Sequence, residues 1–560
     1  MLIETLHVMR DLPRLREIAA ILIRHGFGDL VRRAGVGTVL ERAGGILSVG
    51  QDEGLRRLEL PVRVRMALEQ MGPTFVKLGQ VLATRVDLFA PEWIAEFEKL
   101  QNAVPPVPFA DVLPEMTRAL GGRSPHEVFA ELDEQPKAAA SIAQVHRARL
   151  LDGTPVAIKV RRPGIRPKIE ADLRILAALA SAAQGELPEL KRFQPVQMVA
   201  QFGKSLAREL DLAVEARNQE RFAHNFANEP DILIPKVYWE FTSPSMNVQE
   251  LVDGIPGNDL DQVERAGLDR SLLAQRGATA VLKMILVDGF FHADPHPGNV
   301  FYLPGNRLCI IDFGMVGRLS DGRRDQIVDL LSALAQRDND GMMSVLLEWT
   351  GDARVDEAQL SLDLGDLVFN YEHLPLKDIH IGQLLSDITA IMRDHSIVLP
   401  SDLTLLFKAL ITLEGLGRQL DPEFRLIEYL GPFVGRMMEQ RRQPLAMARR
   451  AKDSLAATIA SVTGLPGDLS KLLRDARRGR LTIELDLKRL DHFGHQLNHS
   501  ANRLTIGVVT AALIVGSSIV MTVRGGPELF GLPLFGLLGF VVAGLNGIWL
   551  VWSIRRSNRE

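Results

Sequence analysis

The segment from His292 to Gly314 contains three polar residues whose types and spacing suit phosphate and metal chemistry. Asp294 and Asn299 are five residues apart, Asn299 and Asp312 are thirteen apart, and Asp312 opens an Asp-Phe-Gly tripeptide. In enzymes that transfer phosphoryl groups from nucleotides, the first Asp of such a set orients or deprotonates the nucleophile, and the Asn and second Asp hold Mg²⁺ on the phosphates. The sequence therefore predicts Asp294 as a catalytic residue and Asn299 and Asp312 as metal ligands.

A β-hairpin is predicted to position these residues. Pro295 and Pro297 exclude a helix in the first part of the segment, and two short apolar strands, Val300 to Tyr302 and Leu308 to Ile311, surround a Pro-Gly-Asn turn. The three polar residues are then expected at the ends of the hairpin. An ordinary hairpin with polar ends is the alternative, but it requires the spacings and the tripeptide to coincide.

A phosphate-binding turn and strand are predicted earlier in the chain. Lys137 to Leu150 has the pattern of a strand, a tight turn and a second strand, and a third strand, Pro155 to Val160, carries Lys159. A lysine in that position suits contact with nucleotide phosphates. The turn is rich in alanine, whose backbone N–H groups can approach phosphate, although each Cβ removes freedom that glycine has. The turn residues predicted to bind nucleotide are Ala138, Ala139, Ala140 and Ser141.

A polar line on an apolar helix is predicted to face the same site. Lys77, Gln80 and Thr84 fall at i, i+3 and i+7 of this helix, and a buried lysine is costly unless it meets a carboxylate or a phosphate. If Lys77 is buried, the line that it forms with Gln80 is expected to point at an internal charged site. A lysine that snorkels at a domain edge is the alternative.

Carboxylates concentrate on a helix predicted from Phe202 to Phe226. Asp211, Glu215 and Asn218 fall at i, i+4 and i+7, and two like charges on one helix face indicate cationic partners elsewhere. A solvated acidic face is the alternative. The cationic candidates are Lys77 and Lys159, and the carboxylates expected at the nucleotide site are Glu209, Asp211 and Glu215.

Two further strands are predicted, at Val237 to Glu240 and from Met246 onward, where the chain leads into a second, helical lobe. The backbone between Glu250 and Val252 would then lie at the hinge between the lobes. We expect the adenine of a bound nucleotide to contact it there.

Length and composition bound the remaining possibilities. At 560 residues the chain is too long for one core, so two or three domains are expected. A net charge of −4 gives no electrostatic case for nucleic-acid binding. The single cysteine, Cys309, excludes an intramolecular disulfide and is predicted to be buried. The first residues lack the uninterrupted apolar core of a signal peptide, so the catalytic part is expected to face the cytoplasm.

Two apolar runs late in the chain, Leu504 to Val523 and Leu529 to Ile554, contain no charged residue, and each is long enough to span a bilayer. Arginines are more numerous in the outer flanks than in the short loop between the runs, which predicts that both flanks are cytoplasmic. We therefore predict a transmembrane helical hairpin, with buried core helices as the alternative.

Three other features leave alternatives open. The first 70 residues have the pattern of amphipathic helices, for which packing against the rest of the protein is favoured over contact with a membrane surface. Basic runs between Arg441 and Arg480 suit anionic lipid headgroups and solvated helix faces equally. A histidine face formed by His492, His495 and His499 lacks a further ligand that would support a metal site.

Taken together, the motifs resemble those of the UbiB (AarF) family of atypical kinase-like proteins, over residues 60 to 425. The resemblance implies a kinase-like fold whose KxGQ helices lie over the place where a protein substrate would dock. It thereby implies that Lys77 and Gln80 reach the site and belong with Asp294 and Lys159 among the catalytic residues. It also implies ATPase activity, or phosphotransfer to a small molecule or lipid, in ubiquinone biosynthesis. The motifs are KxGQ at Lys77 to Gln80, AAAS at Ala138 to Ser141, ExD at Glu209 to Asp211, HADPHPGN at His292 to Asn299 and DFG at Asp312 to Gly314.

The expected fold class is α+β, a protein-kinase-like two-lobed fold with extra N-terminal helices and a C-terminal transmembrane helical hairpin. The expected regions are an N-terminal helical region with the KxGQ motif (1–103), a kinase-like N-lobe (104–253), a helical C-lobe (254–430), basic juxtamembrane helices (431–503) and two transmembrane helices (504–554).

Two functions fit this expectation. The first is a membrane-anchored atypical kinase or ATPase that binds Mg-ATP and supports isoprenoid quinone (ubiquinone) biosynthesis by ATP-driven handling of lipid intermediates. It would act at the bacterial inner membrane, with lipid or quinone intermediates, anionic membrane and other quinone-biosynthesis proteins as partners. The second is a nucleotide-binding pseudokinase scaffold that organises a membrane-bound complex. Retention of Lys159, Asp294, Asn299 and Asp312 favours the first.

Overall fold

The structure is a computed structural model of the chain. It describes residues 2–33, 53–100, 105–186, 194–336, 338–350, 355–372, 374, 378–395, 397–442, 509–519, 528–529, 532–533, 538–539 and 541–546. Two compact units divide the chain, Met1–Met447 and Ala448–Glu560. All residues of the predicted nucleotide site lie in the first unit.

The described helices and strands are numbered here in chain order. The helices are α1 (Leu2–Arg24), α2 (Gly28–Arg33), α3 (Glu53–Arg56), α4 (Leu60–Met71), α5 (Pro73–Ala83), α6 (Pro91–Glu98), α7 (Phe109–Ala119), α8 (Pro125–Val128), α9 (Ile165–Glu186), α10 (Pro195–Glu209), α11 (Leu212–Asn225), α12 (Leu260–Arg265), α13 (Arg270–Leu282), α14 (Asp321–Gln336), α15 (Asn339–Thr350), α16 (Glu357–Glu372), α17 (Ile381–Asp394), α18 (Ser401–Leu420) and α19 (Leu426–Arg442). The strands are β1 (Phe129–Leu132), β2 (Ala138–Ala139), β3 (Ala143–Leu150), β4 (Pro155–Arg161), β5 (Ile232–Leu233), β6 (Met246–Glu250), β7 (Ile255–Pro256), β8 (Phe290–His292), β9 (Val300–Leu303), β10 (Arg307–Ile310), β11 (Val316–Arg318), β12 (Glu528–Leu529) and β13 (Leu532–Pro533).

An antiparallel sheet in the first lobe carries Lys159. Its strands lie in the order β1-β3-β4-β6, and β2 pairs with the N-terminal part of β3. Because side chains alternate along a strand, Val156 and Ile158 of β4 are fully buried in the apolar core on one face. Lys159 lies on the other face, opposite Val145 of β3 and Asn247 of β6.

The N-terminal helices pack against α9, as the sequence favoured. Helices α1, α4, α5 and α6 share an apolar core with one face of α9. Asp172 of α9 accepts hydrogen bonds from Arg14 of α1 at 2.6 Å and from Thr74 of α5 at 2.5 Å. A second ion pair joins Arg174 of α9 to Asp11 of α1 at 2.7 Å. These contacts fix α5, the helix that carries Lys77.

The second lobe is mainly helical, with short strands at its boundary with the first. Strands β9 and β10 form the predicted hairpin, with Val300 opposite Ile310, and the small sheet has the order β5-β10-β9-β7. Strand β8, which precedes the hairpin, pairs antiparallel with β11, which follows the Asp-Phe-Gly. Helices α13 to α19 surround these strands with one large apolar core, and Cys309 is buried in β10 as predicted. The unit therefore has a kinase-like α+β fold.

Two predicted elements were wrong. The helix expected from Phe202 to Phe226 is two helices, because the helical conformation is interrupted at Leu210 and Asp211, between α10 and α11. The strand expected at Val237 to Glu240 is replaced by a 3₁₀ turn over Trp239–Phe241, and only Val237 makes an isolated bridge, to Gln249 of β6. A carboxylate that caps a helix explains the first error, as described below.

The second unit is described only in part. Residues 509–519 and 541–546 are helical, and β12 and β13 pair antiparallel between them. The predicted start of a helix at Leu529 was therefore wrong, since Leu529 lies in β12. Among the described residues, no helix has both the length and the apolar character needed to cross a membrane. The basic runs from Arg449 to Arg480 and the three histidines, His492, His495 and His499, lie outside the described residues.

Candidate nucleotide site

A cavity between the two lobes collects most of the charged residues that the sequence predicted. Its walls come from β4, α5, α10 and α11 on one side and from the β8–β11 region on the other. The described residues that line it are Lys77, Ala140, Ser141, Ile142, Ala143, Lys159, Glu209, Leu212, Glu215, Asp294, His296, Asn299, Asp312, Gly314 and Met315.

Lys159 joins the two lobes through two carboxylates. Its Nζ lies 2.7 Å from Glu215 Oε1 of α11 and 3.2 Å from Asp312 Oδ1 of the Asp-Phe-Gly. Burial opposes its charge, but the two carboxylates hold the pKa of Lys159 above its usual value. Burial, together with the nearby negative charge of Asp312, raises the pKa of Glu215 to about 7, although Lys159 opposes this shift. The ammonium group of Lys159 is thus held in its charged form in the lining of the cavity.

Lys77 forms a second ion pair at the edge of the same cavity. Its Nζ lies 2.5 Å from Glu209 Oε1, the last residue of α10, and the two side chains are only 13% and 24% exposed. Burial opposes the charge, but Glu209 and the nearby Asp312 hold the pKa of Lys77 above its usual value. The sequence left the partners of the two lysines open, and the structure pairs Lys77 with Glu209 and Lys159 with Glu215.

Asp211 has a structural role instead of lining the cavity. It is the N-cap of α11, and its Oδ1 accepts the backbone N–H of Ala213 at 3.0 Å. A side-chain acceptor at this position satisfies an amide that the helix itself leaves unpaired. Helix α10 ends at Glu209, and the Asp211 cap begins α11, with Glu215 in the first turn of this second helix.

Gln80 also lies away from the cavity lining described above. Its Nε2 donates to the carbonyl of Leu100 at 3.0 Å, so the amide holds the end of α6 against α5. Thr84, the third member of the predicted polar line, is the C-cap of α5, and its hydroxyl bonds the carbonyl of Val81. Of that line, only Lys77 reaches the candidate site.

The alanine-rich turn is closed by its own backbone. Ala138 and Ala139 pair with β3, and the N–H of Ala140 donates to the carbonyl of Ala143 at 2.8 Å. The guanidinium of Arg162 donates to the carbonyl of Ala140 at 2.8 Å. The amide of Ala140 is therefore engaged within the turn, and only Ala140 and Ser141 of the four predicted residues line the cavity.

The hinge residues lie beyond the described cavity lining. Glu250 ends β6, where its N–H donates to the carbonyl of Lys236, and the N–H of Leu251 donates to the carbonyl of Pro155. Val252 follows without belonging to a helix or strand. Contact of adenine with Glu250 to Val252 stays a prediction.

His292 fixes both aspartates of the second lobe, a role that the sequence did not suggest. Its Nδ1 accepts the N–H of Asp294 at 3.2 Å, and its Nε2 lies 2.8 Å from the carbonyl of Asp312. The hydrogen-bond pattern assigns the proton to Nε2. Burial lowers the pKa of His292 and favours this neutral form. The only local signal in the sequence is that His292 precedes Asp294 by two residues.

Asn299 and Asp312 present oxygen atoms to the cavity. Asn299 Nδ2 donates to the carbonyl of Asp294 at 3.1 Å, so the amide oxygen is the atom that this side chain offers to a cation. Asp312 has φ of 60°, a left-handed conformation that Asp tolerates better than most residues, and its carboxylate is 47% exposed. The surrounding protein opposes the negative charge of Asp312, but Lys159 and Lys77 outweigh this and hold its pKa below the usual range. An amide oxygen and an ionised carboxylate fit the oxygen preference of Mg²⁺.

Asp294 lies in a salt bridge that sequence analysis missed. Its Oδ1 is 2.9 Å from Nζ of Lys408 on α18, and its Oδ2 is 3.8 Å from Nε2 of His296. Burial works against its charge, but Lys408 holds the pKa of Asp294 below its usual value. No local signal marks Lys408, which is one polar residue of an amphipathic helix more than 100 positions further along the chain.

Comparison with known proteins gives consistent matches along the chain. Residues 99–346 match the ABC1 atypical kinase-like domain, residues 364–425 match the UbiB helical domain, and residues 488–556 match the ABC1/UbiB kinase-like C-terminal domain. A solved structure, the complex of Rv3197 with erythromycin from Mycobacterium tuberculosis, is similar with a TM-score of 0.43 and 22% identity, covering 57% of this chain and 84% of that one.

Full-length relatives agree with these matches. A probable protein kinase UbiB of Marinobacter nauticus is 32% identical, over 87% of this chain and 90% of its own length. Another, of Pseudomonas aeruginosa, is 34% identical over 78% and 83%. A protein from the hydrogenase 1 5′ region of Clostridium pasteurianum is 30% identical over 97% and 99%. The chain therefore belongs to the ABC1/UbiB family of atypical kinase-like proteins.

Proposed function

We propose that this protein is a membrane-anchored, Mg²⁺-dependent ATPase or small-molecule kinase that supports isoprenoid quinone biosynthesis. One observation carries the proposal: Lys159 of the first lobe meets Glu215 and Asp312 in a cavity that Asp294 and Asn299 also line. The order and the chemistry of these groups are those of a phosphoryl-transfer site.

In this proposal one set of cavity residues binds phosphate and another binds the metal. Lys159 supplies a fixed positive charge for phosphate oxygens, and Glu215 keeps its ammonium group in place. Asn299 and Asp312 would hold Mg²⁺, which neutralises phosphate charge when it is bound. The described residues contain no group of three or more His, Cys, Asp or Glu side chains that suits a metal ion. Oxygens of phosphate and water, which Mg²⁺ commonly retains as ligands, would accompany Asn299 and Asp312.

Asp294 is the residue that would act on the phosphoryl acceptor. It lines the cavity on the side of the second lobe, and its carboxylate is ionised because of Lys408. An ionised carboxylate within hydrogen-bond reach orients an acceptor hydroxyl or water and receives its proton. Asp294 therefore takes the general-base role in our proposal.

The position of the N-terminal helix α5 favours a small acceptor over a protein. Lys77 and Glu209 form their ion pair at the cavity wall, and α5 is tied to α9 through Asp172. A peptide would have to displace this helix and leave a desolvated charge without a partner, which is unfavourable. Water or a compact head group needs no such displacement.

The described helices of the second unit support a membrane location. Val515 and Leu545 are 59% and 64% exposed, whereas Ser517 and Ala543 are buried. A Cβ placed on Gly539 would lie 2.0 Å from Ser517 Oγ, so the two helices approach closely at small residues. Large apolar side chains outside and small residues between helices are typical of helix pairs in lipid.

The membrane proposal predicts how the protein fractionates. The full chain is expected to sediment with membranes and to remain there after alkaline extraction, because two apolar segments hold it in the bilayer. A chain that ends at Asn498 is the matched control, and it should appear in the soluble fraction. Recovery of the full chain in the soluble fraction would contradict the anchor.

The biosynthetic role is tested by quinone profiling. Deletion of the gene in its bacterium should lower isoprenoid quinone and cause a polyprenylated intermediate to accumulate, as measured by mass spectrometry of lipid extracts. The wild-type gene and a control variant, Asp394→Asn, whose side chain is 73% exposed, should restore quinone, whereas Asp312→Asn should not. Unchanged quinone in the deletion strain would refute the quinone role. Restoration by Asp312→Asn would favour the pseudokinase scaffold.

A further inference from the structure

Lys408 contacts the candidate base from outside the cavity. Its Nζ lies 2.9 Å from Asp294 Oδ1, and the two side chains are 30% and 26% exposed. Asp294 belongs to the described cavity lining, and Lys408 does not. The lysine therefore approaches Asp294 from the side of α18, away from the space that a nucleotide would occupy.

We infer that Lys408 is a positioning residue for Asp294: it binds Oδ1 so that Oδ2 faces the phosphoryl acceptor. The inference rests on the proposed function and adds a residue from the C-terminal helical part of the lobe to the reaction. A free carboxylate exchanges its two oxygens by rotation about one bond. A cation held at 2.9 Å from one oxygen selects a single orientation, which is the requirement for productive geometry.

The helix that carries Lys408 is held rigidly. Leu406 and Phe407 of α18 are 1% and 3% exposed and pack into the large apolar core. Asp402, in its first turn, bonds Arg323 of α14 at 2.9 Å. The backbone at Lys408 is thus fixed by neighbouring residues of α18, which keeps the side chain of Lys408 close to Asp294.

The N-terminal extension also supports this helix. Asp87, which follows α5, accepts the N–H of Leu399 at 3.1 Å, just before α18 begins, and it is bonded to Arg85 at 2.8 Å. Arg393 donates to the carbonyl of Val86 at 3.3 Å. The segment after the Lys77 helix therefore contacts both α17 and the start of α18, so the same extension that reaches the cavity edge supports the Lys408 helix.

The reaction in which Lys408 would assist is a direct displacement at phosphorus. The acceptor oxygen forms a bond to the terminal phosphorus while the bond from phosphorus to the bridging oxygen breaks. The nucleoside diphosphate leaves with the electrons of that bond, and the proton of the acceptor passes to Asp294 Oδ2. Lys408 stays bonded to Oδ1 throughout and exchanges no proton.

The test separates positioning from nucleotide binding. Lys408→Met is expected to lower kcat for ATP turnover about 100-fold, because a misplaced catalytic group has an effect of that order, and to leave the KM for Mg-ATP within about twofold. Lys408→Arg, which keeps the cation, should recover most of kcat. Adding Lys408→Met to Asp294→Asn should cause little further loss, since a positioning residue has no effect once the base that it positions is removed.

A matched control is Lys283→Met. Lys283 forms a comparable ion pair, 3.0 Å from Asp288, with side chains 19% and 13% exposed, but it lies outside the described cavity lining. Its loss should leave kcat and KM unchanged. Thermal unfolding of each variant shows whether a loss of activity comes from a loss of folded protein.

The outcomes are distinct. Wild-type kcat in Lys408→Met would overturn the positioning role, and so would an equal loss of kcat in Lys408→Arg. A parallel rise of KM would show that Lys408 acts on nucleotide binding, which also contradicts the inference. Failure of the proposed function looks different, because turnover would then be the same in the wild type and in Asp312→Asn.

Discussion

Replacement of Asp312 by Asn is expected to lower the ATP turnover of the protein by about 100-fold or more, a loss comparable to removal of one preorganised electrostatic group from an active site. Asp312 offers the ionised carboxylate of the predicted metal pair and accepts a hydrogen bond from Lys159 at 3.2 Å. Asn keeps the size of the side chain and tolerates the left-handed backbone at this position, but it removes the charge that balances the metal and Lys159.

Phosphate release at saturating ATP and Mg²⁺ measures this effect. Asp394→Asn is a suitable control, since Asp394 is 73% exposed and only its 4.0 Å pair with Arg393 is weakened. It should hydrolyse ATP as the wild type does. If Asp312→Asn also releases phosphate at the wild-type rate, the metal assignment is wrong.

Replacement of Lys159 by Met is expected to reduce both stability and nucleotide affinity. Glu215 is only 8% exposed, and removal of one member of a buried ion pair costs about 3 kcal/mol because the remaining carboxyl group stays buried without its cationic partner. The variant also lacks the cation that meets phosphate. Mg-ATP affinity should therefore fall at least about tenfold, which corresponds to about 1.4 kcal/mol.

A double variant separates these two effects. Lys159→Met combined with Glu215→Leu removes both charges, and an apolar pair in place of a buried ion pair restores much of the stability. Nucleotide affinity should stay low, because the phosphate-binding cation is still missing. Chemical denaturation and nucleotide titration measure the two quantities, with Lys168→Met, an exposed change on α9, as the control. Equal nucleotide affinity in the wild type and Lys159→Met would contradict the phosphate role of Lys159.

The polar residues of the second lobe were predictable because they lie close together in sequence. Asp294, Asn299 and Asp312 belong to one hairpin region, so their spacing and the strand pattern determine their neighbourhood. The structure places all three at one cavity. In the first lobe, Lys159 was predictable for the same reason, because a turn and a strand of seven residues carry it.

Long-range partners were predictable in kind but only partly in identity. The surplus of carboxylates near Glu209 indicated cationic partners, but one helix was expected where two exist. Aspartate is common both at helix N-caps and in charged sites. Asp211 forms an N-cap because a new helix begins directly after it. Gln80 lies on the predicted face of its helix, yet it meets the carbonyl of Leu100.

Lys408 was not predictable from the sequence. Its pairing with Asp294 depends on the packing of α18 against the second lobe, and α18 is separated from the hairpin by four helices. One lysine on an amphipathic helix has no distinguishing pattern, since solvated lysines are the rule on such faces. Only the tertiary fold brings the two residues to 2.9 Å.

The most direct test of the nucleotide site is the effect of ATP on the thermal unfolding of the full chain, with and without Mg²⁺. A ligand that binds only the folded state raises the melting temperature, and the rise grows with the logarithm of the ratio of ligand concentration to Kd. We predict a clear rise with Mg-ATP, a smaller rise with ATP and chelator, and no difference between these two conditions in the Asp312→Asn variant. An equal rise with and without Mg²⁺ in the wild type, or no rise at all, would contradict the site.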